Sequence, residues 1–176
     1  MNPVTPRPRR RGFLRENSPR TAILRRLKRA GRRGSNGVKV LLLNRTTFRI
    51  PGERLREKTQ RIIVILKRLG LWEKRRYAIS LVFVSDRESQ ALNTRFRKKG
   101  KPSNVLSFDY GAAGELVLAP KLIRREARAL GQSFFTRLIH LIVHGLLHLS
   151  GAHHERSPTL ARRFERLELL VFERLQ

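Results

Sequence analysis

The stretch that decides the fold is Tyr77-Ala78-Ile79-Ser80-Leu81-Val82-Phe83-Val84-Ser85. Its side chains alternate in part between larger apolar and smaller or polar ones, and it is rich in β-branched and aromatic residues. Both features predict a β-strand. An earlier apolar run, Val38-Lys39-Val40-Leu41-Leu42-Leu43, predicts another strand, which ends at Asn44. Between the two, apolar residues of 52–70 recur at spacings of three, four and seven and predict a helix that stops at Gly70. A strand, a helix and a strand in this order predict a parallel strand pair.

Further elements are predicted on the C-terminal side of this unit. Residues 86–96 predict a helix with Ser85 or Asp86 as its N-cap, and residues 104–108 and 115–118 predict two short strands. Three more helices are predicted over residues 120–130, 134–150 and 158–175. Because strands dominate the first half and helices the second, we predict an α+β fold. It has a small mixed β-sheet of about four strands packed by helices.

The composition excludes several classes of protein. The chain has 176 residues, enough for one folded domain with its own core, and it contains no cysteine. Disulfides, thiolate zinc sites, iron–sulfur clusters and cysteine nucleophiles are therefore excluded, so a metal would have to be bound by His, Asp or Glu. No apolar run approaches the roughly 20 residues that span a bilayer, so we expect no membrane-spanning segment.

The net charge predicts a polyanionic partner. The chain carries 40 Lys and Arg against 13 Asp and Glu, a formal charge of +27. An excess of this size favours nucleic acid as the partner class. An anionic membrane surface is the alternative, but it usually requires a basic amphipathic helix with a continuous apolar face.

Residues 1–37 form a separate basic segment. They contain twelve Lys and Arg, a single acidic residue, Glu16, and several prolines and glycines. This composition cannot bury enough apolar surface to fold alone, so we predict a disordered basic extension followed by a folded domain over residues 38–176. An organelle transit peptide and a translation start near Val38 are the alternatives. The apolar group Ala22-Ile23-Leu24 is too short for a secretion signal. We expect a cytoplasmic protein, or an organellar one if the segment is a transit peptide.

Four of the five histidines fall within residues 144–154 and predict a metal site. His144 and His148 are four residues apart, which places both imidazoles on one face of a helix. Gly151 can take a positive φ, which ends the helix and turns the chain back toward the first two histidines. His154 is therefore predicted to be the third ligand. Three neutral histidines with an open fourth position are typical of a catalytic zinc ion.

The remaining histidines have alternative roles. His140 lies one turn before His144 and is predicted to pack against the site or support a ligand. His153 is predicted to support the site and could compete with His154 as a ligand. A pair of histidines on an apolar helix is also compatible with simple core packing.

The spacing His-x3-His-x5-His is also typical of metzincin proteases, which is a third hypothesis. Those enzymes carry a glutamate directly after the first histidine as general base, and this chain has Gly145 there. They also need a methionine beneath the metal, whereas the only methionine here is Met1. Both differences argue against peptide-bond hydrolysis.

Other stretches accompany the histidine motif of residues 140–154. They are Leu92-Asn93-Thr94-Arg95-Phe96-Arg97, Lys101-Pro102-Ser103-Asn104-Val105-Leu106-Ser107-Phe108 and Gly114-Glu115-Leu116-Val117-Leu118. Together, over about Val38 to Gln176, the chain resembles the YbeY-type endoribonucleases, rRNA maturation factors with a zincin-like three-histidine site. The resemblance implies one Zn²⁺ per chain, bound by His144, His148 and His154, and an important arginine, Arg97, that faces the cleft.

The resemblance also implies a function. We expect a metal-dependent, single-strand-specific endoribonuclease that acts in rRNA processing, at the 3′ end of 16S rRNA, and in ribosome quality control. Its partners would be rRNA, the small ribosomal subunit and assembly factors of that subunit. A guanidinium opposite a metal can hold a phosphodiester with two hydrogen bonds, which suits Arg97 as a catalytic residue. Lys98, Lys99 and Lys101 would position RNA, unless this basic run merely faces water.

Two departures from the family pattern motivate a second hypothesis. The chain has Ala152-His153 where the family usually has Tyr-Asp, and its last helix carries arginines where relatives are commonly acidic. A carboxylate that could orient a ligand is thereby lost. The alternative is a non-catalytic RNA- or ribosome-binding assembly factor with a structural metal. The sequence does not distinguish water from the RNA 2′-hydroxyl as nucleophile, nor does it indicate an oligomeric state.

Overall fold

The structure, a computed structural model, describes residues 37–152 and 157–175. The predicted basic extension, apart from Gly37, lies outside this part of the chain, as do His153 and His154. The strands are β1 (Val38–Asn44), β2 (Tyr77–Phe83), β3 (Val105–Asp109) and β4 (Ala113–Leu118). The helices are α1 (Gly52–Arg68), α2 (Asp86–Arg97), α3 (Pro120–Ala129), α4 (Phe134–Leu149) and α5 (Pro158–Glu173).

The four strands form one mixed sheet in the order β1-β2-β4-β3. β1 pairs in parallel with β2 and β2 with β4, whereas β3 runs antiparallel to β4. Every residue of β2 is buried, which explains why the stretch that decides the fold is nearly continuously apolar. The predicted α+β class and the parallel pairing of the first two strands are confirmed.

Serine side chains cap the N-termini of three of the helices. Ser85 accepts a hydrogen bond from the backbone N–H of Glu88, so Ser85 rather than Asp86 caps α2. Ser133 and Ser157 cap α4 and α5 in the same way. Such a cap satisfies an otherwise unpaired N–H of the first turn and contributes about 1 kcal/mol. At the other end of α4, Gly151 has the predicted positive φ, +100°.

Two glycines let α4 lie directly on the sheet. A Cβ atom at Gly145 of α4 would come within 2.6 Å of the Leu116 side chain on β4. A Cβ atom at Gly114 of β4 would lie 2.5 Å from Tyr77 Oη and 2.8 Å from a Leu149 methyl carbon. Neither approach is possible for a residue with a side chain unless the neighbours move. The position of α4, and of the histidines it carries, therefore depends on both glycines.

Apolar residues pack on both faces of the sheet. Helices α1, α4 and α5 contribute to the main core, in which Leu66, Leu138 and Val171 are fully buried. On the opposite face a smaller cluster around Val82 and Val117 packs against Leu92 of α2. None of the helices in the described residues is both long and apolar enough to cross a membrane.

Candidate active site

His144 and His148 of α4 present their Nε2 atoms to one another. The two nitrogen atoms are 3.1 Å apart, and the ring planes meet edge to face at 71°. Two nitrogen ligands of a tetrahedral zinc ion, each at about 2.0 to 2.1 Å from the metal, are separated by about 3.3 Å. The histidine pair therefore already has the spacing and the convergence that two zinc ligands need.

Glu168 of α5 holds the other nitrogen of the first histidine. Its Oε1 lies 2.7 Å from His144 Nδ1. A carboxylate can only accept, so Nδ1 carries the hydrogen and donates it to Glu168. Nε2 of a neutral His144 then directs its lone pair toward His148. This arrangement, a carboxylate behind a histidine, is the one that orients metal-binding imidazoles in other proteins.

Phe164 packs against both imidazoles. The centroid of its ring lies 5.1 Å from that of His144 and 4.9 Å from that of His148. Phe164 is buried and stands one helical turn before Glu168 on α5. One face of α5 thus fixes both the position and the orientation of the histidine pair.

Arg97, the last residue of α2, shares a cleft with the histidines. This cleft has a volume of about 440 Å³, and its walls include Arg97, His144, His148 and residues of β3. Phe96 and Phe108 also line it and contact each other edge to face at 5.2 Å between centroids. Phe96 is half exposed, so its ring borders the open side of the cleft. The structure therefore brings the predicted arginine and two of the predicted ligands into one space.

The basic loop after α2 is held in place by α2 itself. Lys98 adopts the left-handed conformation with φ of 58° and ends the helix. The next carbonyl groups, of Lys99, Gly100 and Lys101, accept hydrogen bonds from the side chains of Thr94, Gln90 and Asn93. Lys99 and Lys101 line a second groove, which also has Arg97 in its wall. Of the four basic residues predicted to bind RNA, Arg97 lines both the cleft and this groove, Lys99 and Lys101 line the groove alone, and Lys98 lines neither.

Asp109 lies at the edge of the cleft, where β3 ends. It accepts hydrogen bonds from Lys74 Nζ at 2.6 Å, from Tyr77 Oη at 2.7 Å and from the Gly111 N–H at 2.9 Å. Burial raises the pKa of Asp109, but these hydrogen bonds and the Lys74 charge outweigh it and hold the pKa below its ordinary value. Burial, together with the contact to Asp109, raises the pKa of Tyr77. Both oxygens of Asp109 are engaged in joining β3 to the start of β2.

His140 lies outside the cleft and packs against the last helix. Its ring stacks on Phe172 with 3.8 Å between centroids. Burial and the nearby charge of Arg137 lower the pKa of His140, against the opposing charge of Glu168. A neutral ring stacked on an apolar one suits packing between α4 and α5.

The third predicted ligand, His154, and its neighbour His153 lie outside the described residues. Within residues 37–152 and 157–175, no three His, Cys, Asp or Glu side chains are placed to hold a metal together. The described part of the site thus supplies two converging histidine nitrogens and a carboxylate behind one of them.

Gly145 explains why the metzincin arrangement cannot form in this fold. Its Cα faces β4 and β3, with Leu116 and Ser107 as the nearest side chains. A glutamate at this position would be directed into the packed sheet. The general base that the protease hypothesis requires therefore cannot be supplied from this residue.

A comparison with protein families identifies the family of the chain. A family model described as Endoribonuclease YbeY matches residues 42–176, well over half of the chain. The chain belongs to the YbeY endoribonuclease family. The match includes both the α2 segment that ends at Arg97 and the histidines of α4.

Individual YbeY proteins align over different lengths. Endoribonuclease YbeY of Bdellovibrio bacteriovorus is 32% identical over 141 residues, which are 77% of this chain and 94% of that protein. Endoribonuclease YbeY of Gluconobacter oxydans is 44% identical over 94 residues, 52% of this chain and 55% of that protein. Among solved structures, the solution structure of TM1509 from Thermotoga maritima matches with a TM-score of 0.53 and 24% identity. That match covers 78% of this chain and 88% of that one, and at this identity it establishes the fold.

Glu168 is the residue of this YbeY-family site that sequence reasoning misses. It stands among arginines of the last helix, in a segment that the sequence describes only as unusually basic. One signal was available: Glu168 follows the buried Phe164 by four residues and therefore shares its helix face. The chain lacks the usual Tyr-Asp carboxylate before the last histidine, but Glu168 provides a carboxylate to the histidine pair.

Proposed function

We propose that this protein is a zinc-dependent endoribonuclease that cuts single-stranded RNA during rRNA processing, including maturation of the 16S rRNA 3′ end, and ribosome quality control. The observation that carries the proposal is the convergence of the two histidine Nε2 atoms in a cleft shared with Arg97. Relatives named Endoribonuclease YbeY support the RNA substrate. The small ribosomal subunit and its assembly factors would be partners, in the cytoplasm or in an organelle.

One Zn²⁺ per chain would be held by His144, His148 and His154. When bound, such an ion polarises a phosphoryl oxygen or lowers the pKa of a bound water to about 7. Glu168 holds the Nδ1 hydrogen of His144, which keeps the Nε2 lone pair directed at the metal position. Phe164 packs against both rings and helps to hold them in place.

Arg97 would act on the phosphodiester from the other wall of the cleft. Its guanidinium can donate two parallel hydrogen bonds to two phosphoryl oxygens and offset the negative charge that grows in the transition state. Lys98, Lys99 and Lys101 would attract and position the backbone of the RNA without reading its bases. His140 would support α4 through its stack on Phe172, and His153 would lie next to the third ligand.

Cleavage of a labelled single-stranded RNA tests the proposal. We expect cleavage by the zinc-loaded full chain, and loss of cleavage after treatment with a chelator or in the variant His148→Ala. Restoration by added zinc should occur in the wild type alone. Equal rates for wild type and variant would show that a contaminant cuts the RNA and would refute the assignment of the site.

The second candidate is an RNA- or ribosome-binding assembly factor without turnover. It is favoured by the charge of residues 38–176, in which 28 basic and 12 acidic residues leave +16 without the N-terminal extension. Binding to single-stranded RNA should then fall with log salt by about 0.7 per neutralised phosphate. Tight, salt-sensitive binding with no zinc-dependent cleavage would select this function over the first.

A further inference from the structure

A second basic groove opens beside the histidine cleft, on the other side of Arg97. It has a volume of about 520 Å³ and lies between the loop after α2 and one side of α3. The loop contributes Lys99 and Lys101, and α3 contributes Arg125. Because Arg97 lines both the cleft and the groove, a strand that leaves the cleft past this residue enters the groove directly.

The groove is built before any ligand arrives. Three hydrogen bonds from α2 side chains fix the successive carbonyls of residues 99–101, so the loop that bears both lysines is already ordered. In the part of the chain that the structure describes, the ion pairs do not involve Lys99 or Lys101. Both ammonium groups are thus exposed on a fixed backbone.

The acidic groups near the groove are already neutralised. Glu126 accepts hydrogen bonds from Asn104 at 2.9 Å and from Arg137 at 2.7 Å. Burial raises the pKa of Glu126, but these contacts and the Arg137 charge hold it below the ordinary value, so its negative charge stays paired with Arg137. Asp86 pairs with Arg125, whose side chain is still 60% exposed and has further N–H donors available. The groove therefore presents a net positive charge to an incoming anion.

Basic residues also occupy another side of α3. Lys121 and Arg124 line a shallow basin together with Arg49 and Phe48. The Arg124 guanidinium lies 5.7 Å from the Phe48 ring. Cationic side chains with an interleaved aromatic ring are the usual components of a surface that binds single-stranded nucleic acid.

We propose that the groove between residues 98–101 and α3 binds the RNA backbone that flanks the cleaved phosphodiester, and that α3 carries the strand away from the site. This inference rests on the proposed function for its substrate and adds α3, in particular Arg125, to the RNA-binding surface. Lys101 and Arg125, one from each wall, would each contact a phosphate.

Salt-dependent RNA binding by two matched double variants tests this proposal. Lys101→Ala/Arg125→Ala removes one lysine and one arginine from the groove. Arg61→Ala/Lys67→Ala removes the same charges from exposed positions of α1, which contributes no residue to the groove. Binding of a fluorescent single-stranded RNA of twelve nucleotides to each full-length protein is measured by anisotropy with a chelator present, so that no cleavage occurs.

The groove variant should bind single-stranded RNA more weakly, and its binding should depend less steeply on the salt concentration. With a slope of about 0.7 per phosphate, two lost contacts reduce the slope by about 1.4 and weaken binding about 25-fold at 0.1 M salt. The α1 control should change by less than about twofold, and a dinucleotide that fits within the cleft should bind both variants almost equally. Thermal melting of each variant shows that it is folded.

Three outcomes would overturn the proposal: equal losses in the two double variants, no loss in the groove variant, or an equal loss for dinucleotide and dodecanucleotide. Failure of the proposed function looks different. A wild type that binds RNA through the groove but shows no zinc-dependent cleavage would refute the nuclease and leave the groove standing. A wild type that binds no RNA would refute both.

Discussion

Arg97 is the residue whose chemistry is hardest to replace. A lysine keeps the charge but has no planar fork with which to hold two phosphoryl oxygens. We expect Arg97→Lys to lower kcat by about tenfold or more, and Arg97→Ala to approach the loss of about 100-fold seen when a transition-state donor is removed. Steady-state cleavage kinetics with zinc content measured in parallel check this. If Arg97→Lys kept the wild-type kcat, Arg97 would contribute only its positive charge and not a pair of specific hydrogen bonds.

Glu168 acts through His144 and is therefore a positioning residue. Glu168→Gln removes the charge behind the imidazole, and we expect zinc affinity to fall about 10- to 100-fold. Glu165 is exposed on the same helix, so Glu165→Gln is a matched control that should keep wild-type affinity. Competition with a chromophoric zinc chelator measures the affinity without any assay of cleavage. Equal zinc affinities for the two variants would show that Glu168 contributes only to packing.

At the scale of elements, the contact of α4 with the sheet depends on Gly145. Alanine there would gain about 1 kcal/mol of helix propensity but force overpacking that costs about 1 to 3 kcal/mol. We expect Gly145→Ala to lower the free energy of unfolding by about 1 kcal/mol, measured by urea denaturation. Gly52 of α1 has its nearest neighbour at 3.8 Å, so Gly52→Ala should have no effect or stabilise. If both variants lowered the free energy of unfolding, the close approach of α4 to the sheet would not explain the effect at Gly145.

The junction of β3 with the start of β2 should depend on pH through Asp109. Its pKa is lower in the folded than in the unfolded state, so its stabilisation is present above the unfolded value of about 3.9. The stabilisation is lost as the pH falls through the folded pKa. We therefore expect Asp109→Asn to melt below the wild type at pH 7 and to converge with it at lower pH, below the folded pKa.

A surface ion pair provides the control for this pH dependence. Glu53 contacts Arg56 on α1, and its side chain is 74% exposed, so solvent screens the pair. Glu53→Gln should melt close to the wild type, because a screened pair adds little to stability. If the melting temperatures of Asp109→Asn and the wild type differed by a constant amount down to about pH 2, the substitution would act through packing and not through the charge of Asp109.

At the scale of the whole molecule, local patterns in the sequence predict most of the fold. The β2 stretch, the N-cap of α2 and the glycine turn after α4 follow from residues close together in the sequence. The parallel β1 partner is farther away in the sequence and follows from the order strand, helix, strand. The sequence predicts the start of β4 two residues late, because Ala113 and Gly114 have low strand propensity and are buried by contacts with distant residues such as Tyr77 and Leu149.

The site is less predictable because it joins distant segments. The pairing of His144 with Glu168 bridges 24 positions and depends on how α5 packs against α4, which no local pattern encodes. The run of basic residues at the end of α2 does not indicate that Arg97 lines both the cleft and the groove, because both spaces are formed with residues distant in the sequence. Binding of the metal by His154 remains a prediction from the spacing of the motif.

The anchored carbonyls of residues 99–101 have a consequence for the speed of RNA capture. A loop that must become ordered on binding pays its entropy at that moment and adds a slow step after encounter. Here the three α2 hydrogen bonds have already fixed the loop, so an arriving strand meets a rigid, positively charged surface. Association should therefore be a single rapid phase, limited by diffusion in the electric field of the protein and slowed by added salt.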